Sequence, residues 1–500
     1  MVTWYGRTGR VALNESADGG GGTDSLRRRA GLPLGLAAFT LLLFLPAPSG
    51  MEEAAWRTAA VGVLMAVWWV SEALPIPATA LVPLVAFPLL GVAPIGDAAA
   101  PYANPIIYLF LGGFLLAAAM QRSGLHRRVA LNVVTAVGTG PRRLVLGFML
   151  ATAFLSMWVS NTATTVMMLP IGVSVIALTG TAESDDASSA SFATALMLAI
   201  AYGASIGGLG TLIGTPPNAF LAGYMSETYD VQIGFAQWML VGVPLVIVGL
   251  PLAWLLLTRV LFRLDPAELS GGRAVVREAL HALGRVAPAE RRVAVVFVLT
   301  AVAWIVRPLV ADLVPGLSDA GIAIAAGLVL FMTPAGAGQE RLLDWETAEE
   351  LPWGVLVLFG GGLSLAAAIS DTGLALWIGE ALGGLGALPV WLLVLAVTAV
   401  IVFLTELTSN TATAAAFLPV LGPLAVSLGE GPLLFVVPAA LAASCAFMMP
   451  VATPPNAIVF GSGRVTLPQM ARAGVWLNLL FIALIMVVAY TLVPLVLGAG

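Results

Sequence analysis

Ser160-Asn161-Thr162-Ala163-Thr164 recurs as Ser409-Asn410-Thr411-Ala412-Thr413, at an offset of 249 residues. Each copy is a polar knot in apolar sequence. No charged residue lies between Leu144 and Ala182, and only Glu406 does between Ala381 and Gly429. Polar groups at that depth must be satisfied by protein, water or bound ions. Ser, Asn and Thr are also N-cap residues, so each knot reads as the place where one helix ends and the next begins. The pattern predicts two re-entrant helical hairpins, over 142–179 and 388–428.

Two further blocks repeat in the same order. The run from Gly112-Gly113 to Gly124-Leu125 matches Gly361-Gly362 to Gly373-Leu374 at offset 249, and Thr215-Pro216-Pro217-Asn218-Ala219 returns as Thr453-Pro454-Pro455-Asn456-Ala457 at offset 238. The shorter offset traces to the polar insert around Glu183, Asp185 and Asp186, which the second half lacks. Proline cannot donate a backbone hydrogen bond but suits a helix's first turn, so Thr215 and Thr453 can cap half-helices that start at Pro216 and Pro454. A Pro-kinked span would explain one copy. Two copies, each paired with a hairpin, favour broken helices, with Gly210 and Gly214 easing the first break.

Hydrophobic residues make up 59% of the chain and charged residues 10%, and the mean hydropathy is +0.99. Soluble domains carry about a quarter charged residues, so the expected fold is an all-α polytopic membrane protein. About 11 transmembrane helices are expected, centred near residues 42, 65, 85, 113, 207, 247, 300, 326, 362, 446 and 485. Arginine supplies all 22 basic residues. With the N-terminus inside, 20 of them are cytoplasmic and only Arg57 and Arg307 are not, as the positive-inside rule asks. The setting expected is the inner (plasma) membrane, with the C-terminus outside. The polar residues 1–30 read as a flexible cytoplasmic tail, and the apolar stretch after them as an uncleaved first span rather than a secretory signal. The span holding Gly112 then runs inward and the one holding Gly361 outward, which makes the repeats inverted, a frequent transporter architecture.

The four helix breaks are expected to meet at mid-membrane. Helix N-termini offer free N–H groups and about half a positive charge each; helix ends offer carbonyl oxygens that suit sodium. No basic side chain lies near the four motifs in sequence, so an anion there needs co-bound cations or helix dipoles to neutralise it. Glu406 reads either as a proton or cation site or as a carboxylate bonded to backbone. Without lysine there is no P-loop or Schiff-base chemistry, and the single Cys445 excludes an internal disulfide. His126 and His281 fall in Arg-rich stretches that read as solvated loops. A membrane enzyme would need a buried acid or histidine cluster that is missing from the sequence. The expected partners are the lipid bilayer and a small anion, with no nucleic acid.

At these motifs the chain resembles the divalent anion/sodium symporter family, which includes the INDY-like dicarboxylate and citrate carriers. That resemblance implies a sodium-coupled carrier of small divalent anions such as succinate. It also implies a homodimer with a scaffold domain and a mobile transport domain working as an elevator. Scaffold helices would occupy 31–135 and 291–380, transport-domain segments 136–262 and 381–500, and a cytoplasmic linker 263–290. Carried over by position, Na+ would meet Ser156, Ser160, Asn161 and Gly214 at one site and Thr405, Thr408, Asn410 and Ala452 at the other. Substrate carboxylates would meet Asn161, Thr162, Thr215, Asn410, Thr411 and Pro454. Competing readings are a sulfate, citrate or other anion carrier or exchanger of the same superfamily, sodium- or proton-coupled, and more distantly an anion channel.

Overall fold

The computed structural model describes residues 21–138, 140–179, 187–264, 272–336, 338, 340–382 and 388–498, and these are helical apart from turns and one isolated bridge, Pro334 with Arg341. The first 20 residues and the insert with Glu183, Asp185 and Asp186 lie outside the described residues.

Helix α1 (Gly21–Phe44) packs along α2 (Glu53–Ser71). It starts well before the end of the expected tail and takes Arg27, Arg28 and Arg29 into its first turns. The reason is tertiary: Gly31 and Gly35 face Ser71 and Trp68 of α2 so closely that a side chain on either would collide, and this contact carries the helix past the polar composition. Helix α2 stops at Glu72, held in the left-handed region at φ 51°. Pro75 and Pro77 follow, and the next apolar stretch is split into α3 (Ile76–Thr79) and α4 (Val82–Leu90). The short α5 (Ile95–Ala99) leads to α6 (Pro105–Ser123), whose start is capped by Asn104 accepting from the Ile106 N–H at 3.0 Å.

Gly124 (φ 77°) turns the chain into α7 (Leu125–Val137). This stretch, read as a loop from its arginines, is an amphipathic helix. His126 lies on it with Nδ1 3.0 Å from the Met120 carbonyl, and burial lowers its pKa. Helices α8 (Pro141–Ser156) and α9 (Asn161–Thr179) form the first hairpin. Then come α10 (Ala187–Gly208), α11 (Pro216–Tyr229), α12 (Phe235–Leu255), which runs on through a π turn, and α13 (Gly272–Ala282). His281, also expected in a loop, is exposed on α13; most of the expected linker 263–290 outside the undescribed 265–271 is therefore helical.

The second half follows the same order. Helices α14 (Pro288–Val310), α15 (Asp319–Met332) and the short α16 (Trp345–Glu349) precede α17 (Trp353–Asp371). Gly373 (φ 75°) then opens α18 (Leu374–Leu382) as Gly124 opens α7, and only glycine adopts that conformation without strain. This is why Gly-Leu recurs in the repeated block. Helices α19 (Val390–Leu404) and α20 (Asn410–Ser427) make the second hairpin, followed by α21 (Leu433–Ala443), α22 (Pro454–Gly461) and α23 (Leu467–Tyr490).

Among the described residues eight helices are long and apolar enough to cross a membrane. Two of them mark the extremes of packing. The α10 stretch 190–208 is 89% buried, whereas α14 is 22% buried. Helix α10 is rich in Ala, Ser and Gly, which let neighbours approach closely, and it sits against both arms of the first hairpin and α22. Helix α14 turns Val295, Val298, Leu299 and Val302 outward, the composition of a lipid-facing surface. A buried ion pair ties α7 to the start of α14: Arg128 Nε lies 2.9 Å from Glu290 Oε2, and its other nitrogens reach the carbonyls of Leu283, Gly284 and Arg285.

A cavity where four helices begin

The two hairpins and the two breaks come together around one cavity of about 680 Å³. Ser160, Asn161 and Thr162 line it from the first tip, and Thr408, Ser409, Asn410 and Thr411 from the second. Gly214, Thr215 and Pro216 enter from one break, and Ala452, Thr453 and Pro454 from the other. The first residues of α9, α11, α20 and α22 therefore all face the same space. Four N-termini at roughly half a charge each amount to about two positive units, enough to matter to a dianion. Ser409 makes no side-chain cap to α20, so amide N–H groups at that tip remain for a ligand.

Beneath the lining the halves use the same hydrogen-bond scheme. Ser156 is fully buried; its hydroxyl contacts Asn161 Oδ1 and lies 2.6 Å from the Ala204 carbonyl. Thr405, at offset 249, is equally buried, with its hydroxyl 2.8 Å from Asn410 Oδ1 and 2.9 Å from the Ala443 carbonyl. Asn218 Nδ2 donates to the carbonyls of Gly208 (3.2 Å) and Thr211 (2.9 Å). Asn456 Nδ2 donates to Ala446 (3.1 Å) and Met449 (3.0 Å), the positions offset by 238. The asparagine of each Thr-Pro-Pro-Asn block thus pegs the unwound chain that precedes it. This role was not drawn from the sequence, although the repeat itself contained the signal.

The copies differ in detail. A Cβ on Gly214 would strike the Gly208 carbonyl, and one on Gly208 would stand 3.1 Å from the Asn161 amide; the equivalent positions are Ala446 and Ala452. The first crossing is therefore tighter by two methyl groups. Thr453 caps α22 through the Asn456 N–H at 3.3 Å. Thr215 does not cap α11 as expected: its hydroxyl lies 3.1 Å from the Ser444 hydroxyl and so joins the halves directly.

All the expected substrate residues, Asn161, Thr162, Thr215, Asn410, Thr411 and Pro454, line the cavity. So do Ser160, Gly214, Thr408 and Ala452 from the expected sodium sets, while Ser156 and Thr405 sit one layer behind. Glu406 is not at the cavity. Its carboxylate accepts the N–H groups of Phe447 (2.7 Å), Met448 (2.9 Å) and Met449 (3.0 Å), and the Asn478 side chain at 2.8 Å. It holds the unwound segment between α21 and α22 in place, so the backbone-bonded reading is the one observed.

One expectation is overturned. Basic side chains do reach the cavity: Arg27 and Arg28 line it together with Glu72. They are far from the motifs in sequence, and only the α1–α2 pairing delivers them. Among the described residues no cluster of His, Cys, Asp and Glu is arranged to hold a metal; the donors here are hydroxyls, amides and carbonyls, the set a weakly held hard cation takes.

Residues 27–497 match the family model for the sodium:sulfate symporter transmembrane region. The sodium-dependent dicarboxylate transporter SdcS of Staphylococcus saprophyticus is 46% identical over 476 residues, which cover 94% of this chain and 92% of that one. SdcS of Staphylococcus aureus strain USA300 is 45% identical over the same shares. Among solved structures, the Alcanivorax borkumensis YdaH transporter superposes with a TM-score of 0.56 at 16% identity, covering 95% of this chain and 98% of that one. Neisseria gonorrhoeae MtrF gives 0.55 at 12% identity, covering 93% and 94%; at such identities these two speak for the fold alone. A family model spanning nearly the whole chain, laid over a cavity built from its repeated motifs, shows that the chain belongs to the sodium:sulfate symporter family.

Proposed function

We propose that this protein carries small dicarboxylates, C4 acids such as succinate, across the membrane with sodium. The observation that carries the reading is the convergence on one cavity of both Ser-Asn-Thr turns and four helix starts, whose own side chains supply neutral oxygen donors. Relatives at 45–46% identity named as sodium-dependent dicarboxylate transporters support the solute and the ion. The cavity volume of about 680 Å³ falls in the range of small-molecule sites.

Sodium would load first. Asn161 and Asn410 each hold Oδ1 toward a buried hydroxyl, of Ser156 and Thr405 respectively. A cation entering beside either asparagine takes lone pairs from that oxygen and from nearby carbonyls at Gly214 or Ala452. The amide NH2 is then the end left for a substrate carboxylate, so ion and anion share one side chain. Thr162, Thr411, Thr215 and the N-terminus at Pro454 complete the anion site. Alternating access would come from the hairpins, broken helices and last span sliding as one body against a scaffold in a homodimer.

The test is uptake of labelled succinate into proteoliposomes under a sodium gradient, with sulfate and citrate as competing solutes. Uptake should collapse when choline replaces sodium, and Asn161→Ala and Asn410→Ala should each lose most coupled flux. Equal uptake in choline at fixed membrane potential defeats the sodium reading. Preference for sulfate would transfer the assignment to the inorganic anion in the family's description.

A further inference from the structure

The corner of the cavity formed by Arg27, Arg28 and Glu72 belongs to none of the repeated motifs, and neither the sodium nor the carboxylate assignment uses it. Arg28 Nη2 lies 2.9 Å from Glu72 Oε2, and Arg27 Nη2 is 3.8 Å from Glu72 Oε1. Arg27 Nη1 also donates to the Leu407 carbonyl at 2.7 Å, one residue before Thr408 at the second hairpin tip. Two guanidinium groups against one carboxylate leave this wall with a net charge of +1. The pairing is loose: the side chains are 34%, 59% and 27% exposed, so water reaches all three. Arg27 Nε is buried and has no hydrogen-bond partner among the described residues, which leaves a donor unused on an arginine that lines the cavity. Glu72 is a non-glycine residue in the left-handed region (φ 51°, ψ 36°), a conformation that costs energy and tends to persist where it serves a site.

We propose that Arg27 and Arg28 form a second anion subsite at the mouth of the cavity, a place where a carboxylate of the dianion is held between bulk solution and the Ser-Asn-Thr site, with Glu72 setting its strength. The proposal rests on the anion-carrier reading and extends it to residues outside the motifs. A guanidinium recognises a carboxylate by charge and by its fork of donors. The resident Glu72 carboxylate competes for those donors, so the subsite captures an anion without trapping it. An arriving carboxylate displaces Glu72 from Arg28, the more exposed of the two, while the charge of Arg27 beside it adds to the attraction. Fixed positive charge at a cavity mouth also raises the local concentration of anions, in proportion to their charge.

The signs of the effects separate this from a purely mechanical role. If the trio only stapled α1 and α2 to the hairpin tip, removing any member would loosen the same contact, and every variant would shift in the same direction. An electrostatic subsite requires opposite shifts. Succinate binding to the purified full-length protein, in constant sodium, is measured by titration calorimetry for Arg28→Gln, Arg27→Gln and Glu72→Gln. The arginine variants should weaken binding by about five-fold or more, and Glu72→Gln should tighten it by a similar factor, both effects shrinking as choline chloride screens the mouth. Arg28, whose one ion pair among the described residues is with Glu72, keeps the test valid even if Arg27→Gln compromises folding. Shifts of the same sign in all variants, or no shift while the unaltered protein binds succinate, overturn the subsite alone. Failure of the unaltered protein to bind succinate or any other dianion overturns the carrier reading and the subsite with it.

Discussion

Glu406 receives four donors at 2.7–3.0 Å, three from consecutive backbone amides and one from Asn478. A buried carboxylate bonded in this way organises a loop and has no oxygen to spare for an ion. Glu406→Gln keeps the shape but puts an NH2 where N–H groups already point, and hydrogen bonds to a charged acceptor are lost. The expected cost is about 2–4 kcal/mol, read as a lower melting temperature of the detergent-solubilised protein, with sodium activation retained in the fraction that folds. Unchanged melting together with lost sodium response would make Glu406 an ion ligand after all. The sequence brought attention to this residue because a lone acid in a long uncharged run is conspicuous. It could not choose between the two roles, since the deciding partners are backbone groups about forty positions away whose presentation depends on the break between α21 and α22. Asn161 and Asn410 were legible for the opposite reason: their signal is local, and it comes twice.

At the scale of elements, the four helix breaks could be read directly from Pro and Ser-Asn-Thr, residues that act on the turn they occupy. The connecting helices α7 and α18 could not. The arginines of α7 made its stretch read as a loop, and the helicity of both connectors depends on packing an apolar stripe against α8 and α20. The two connectors are also unequal. Arg128 anchors α7 to Glu290 at the head of α14, with side chains only 13% and 7% exposed, whereas Trp377 holds the equivalent place on α18. Arg128→Ala leaves Glu290 buried without its partner, and the expected loss is about 3–5 kcal/mol. Thermal unfolding should show it, with Glu290→Gln in the same background recovering part of the loss. No recovery would mean that Arg128 acts through its three carbonyl contacts rather than through charge.

At the scale of the molecule, the sequence yielded the all-helical membrane fold and the pairing of two halves, because hydropathy and repetition survive without tertiary detail. It missed the arrival of Arg27 and Arg28 at the cavity, which depends on how α1 lies against α2. The proposed sliding of the hairpins against a scaffold makes its own demand. Trp158, at the first tip, meets Phe297 of α14 edge to face, ring centroids 5.0 Å apart. Cysteines placed there by Trp158→Cys and Phe297→Cys, with Cys445→Ala to remove the native thiol, should stop uptake when bridged by a short bifunctional reagent. Each single variant should be indifferent to the reagent, and undiminished flux in the bridged protein would rule out movement at this contact. The neutral side chains of the four motifs have one more consequence. Hydroxyls, amides and main-chain groups do not ionise between about pH 5 and pH 9. Acidity then acts on the passenger instead of the carrier. Rates gathered across that interval should fall on a single line when plotted against the concentration of fully ionised succinate, and a bend in that line would betray a titrating group in the protein.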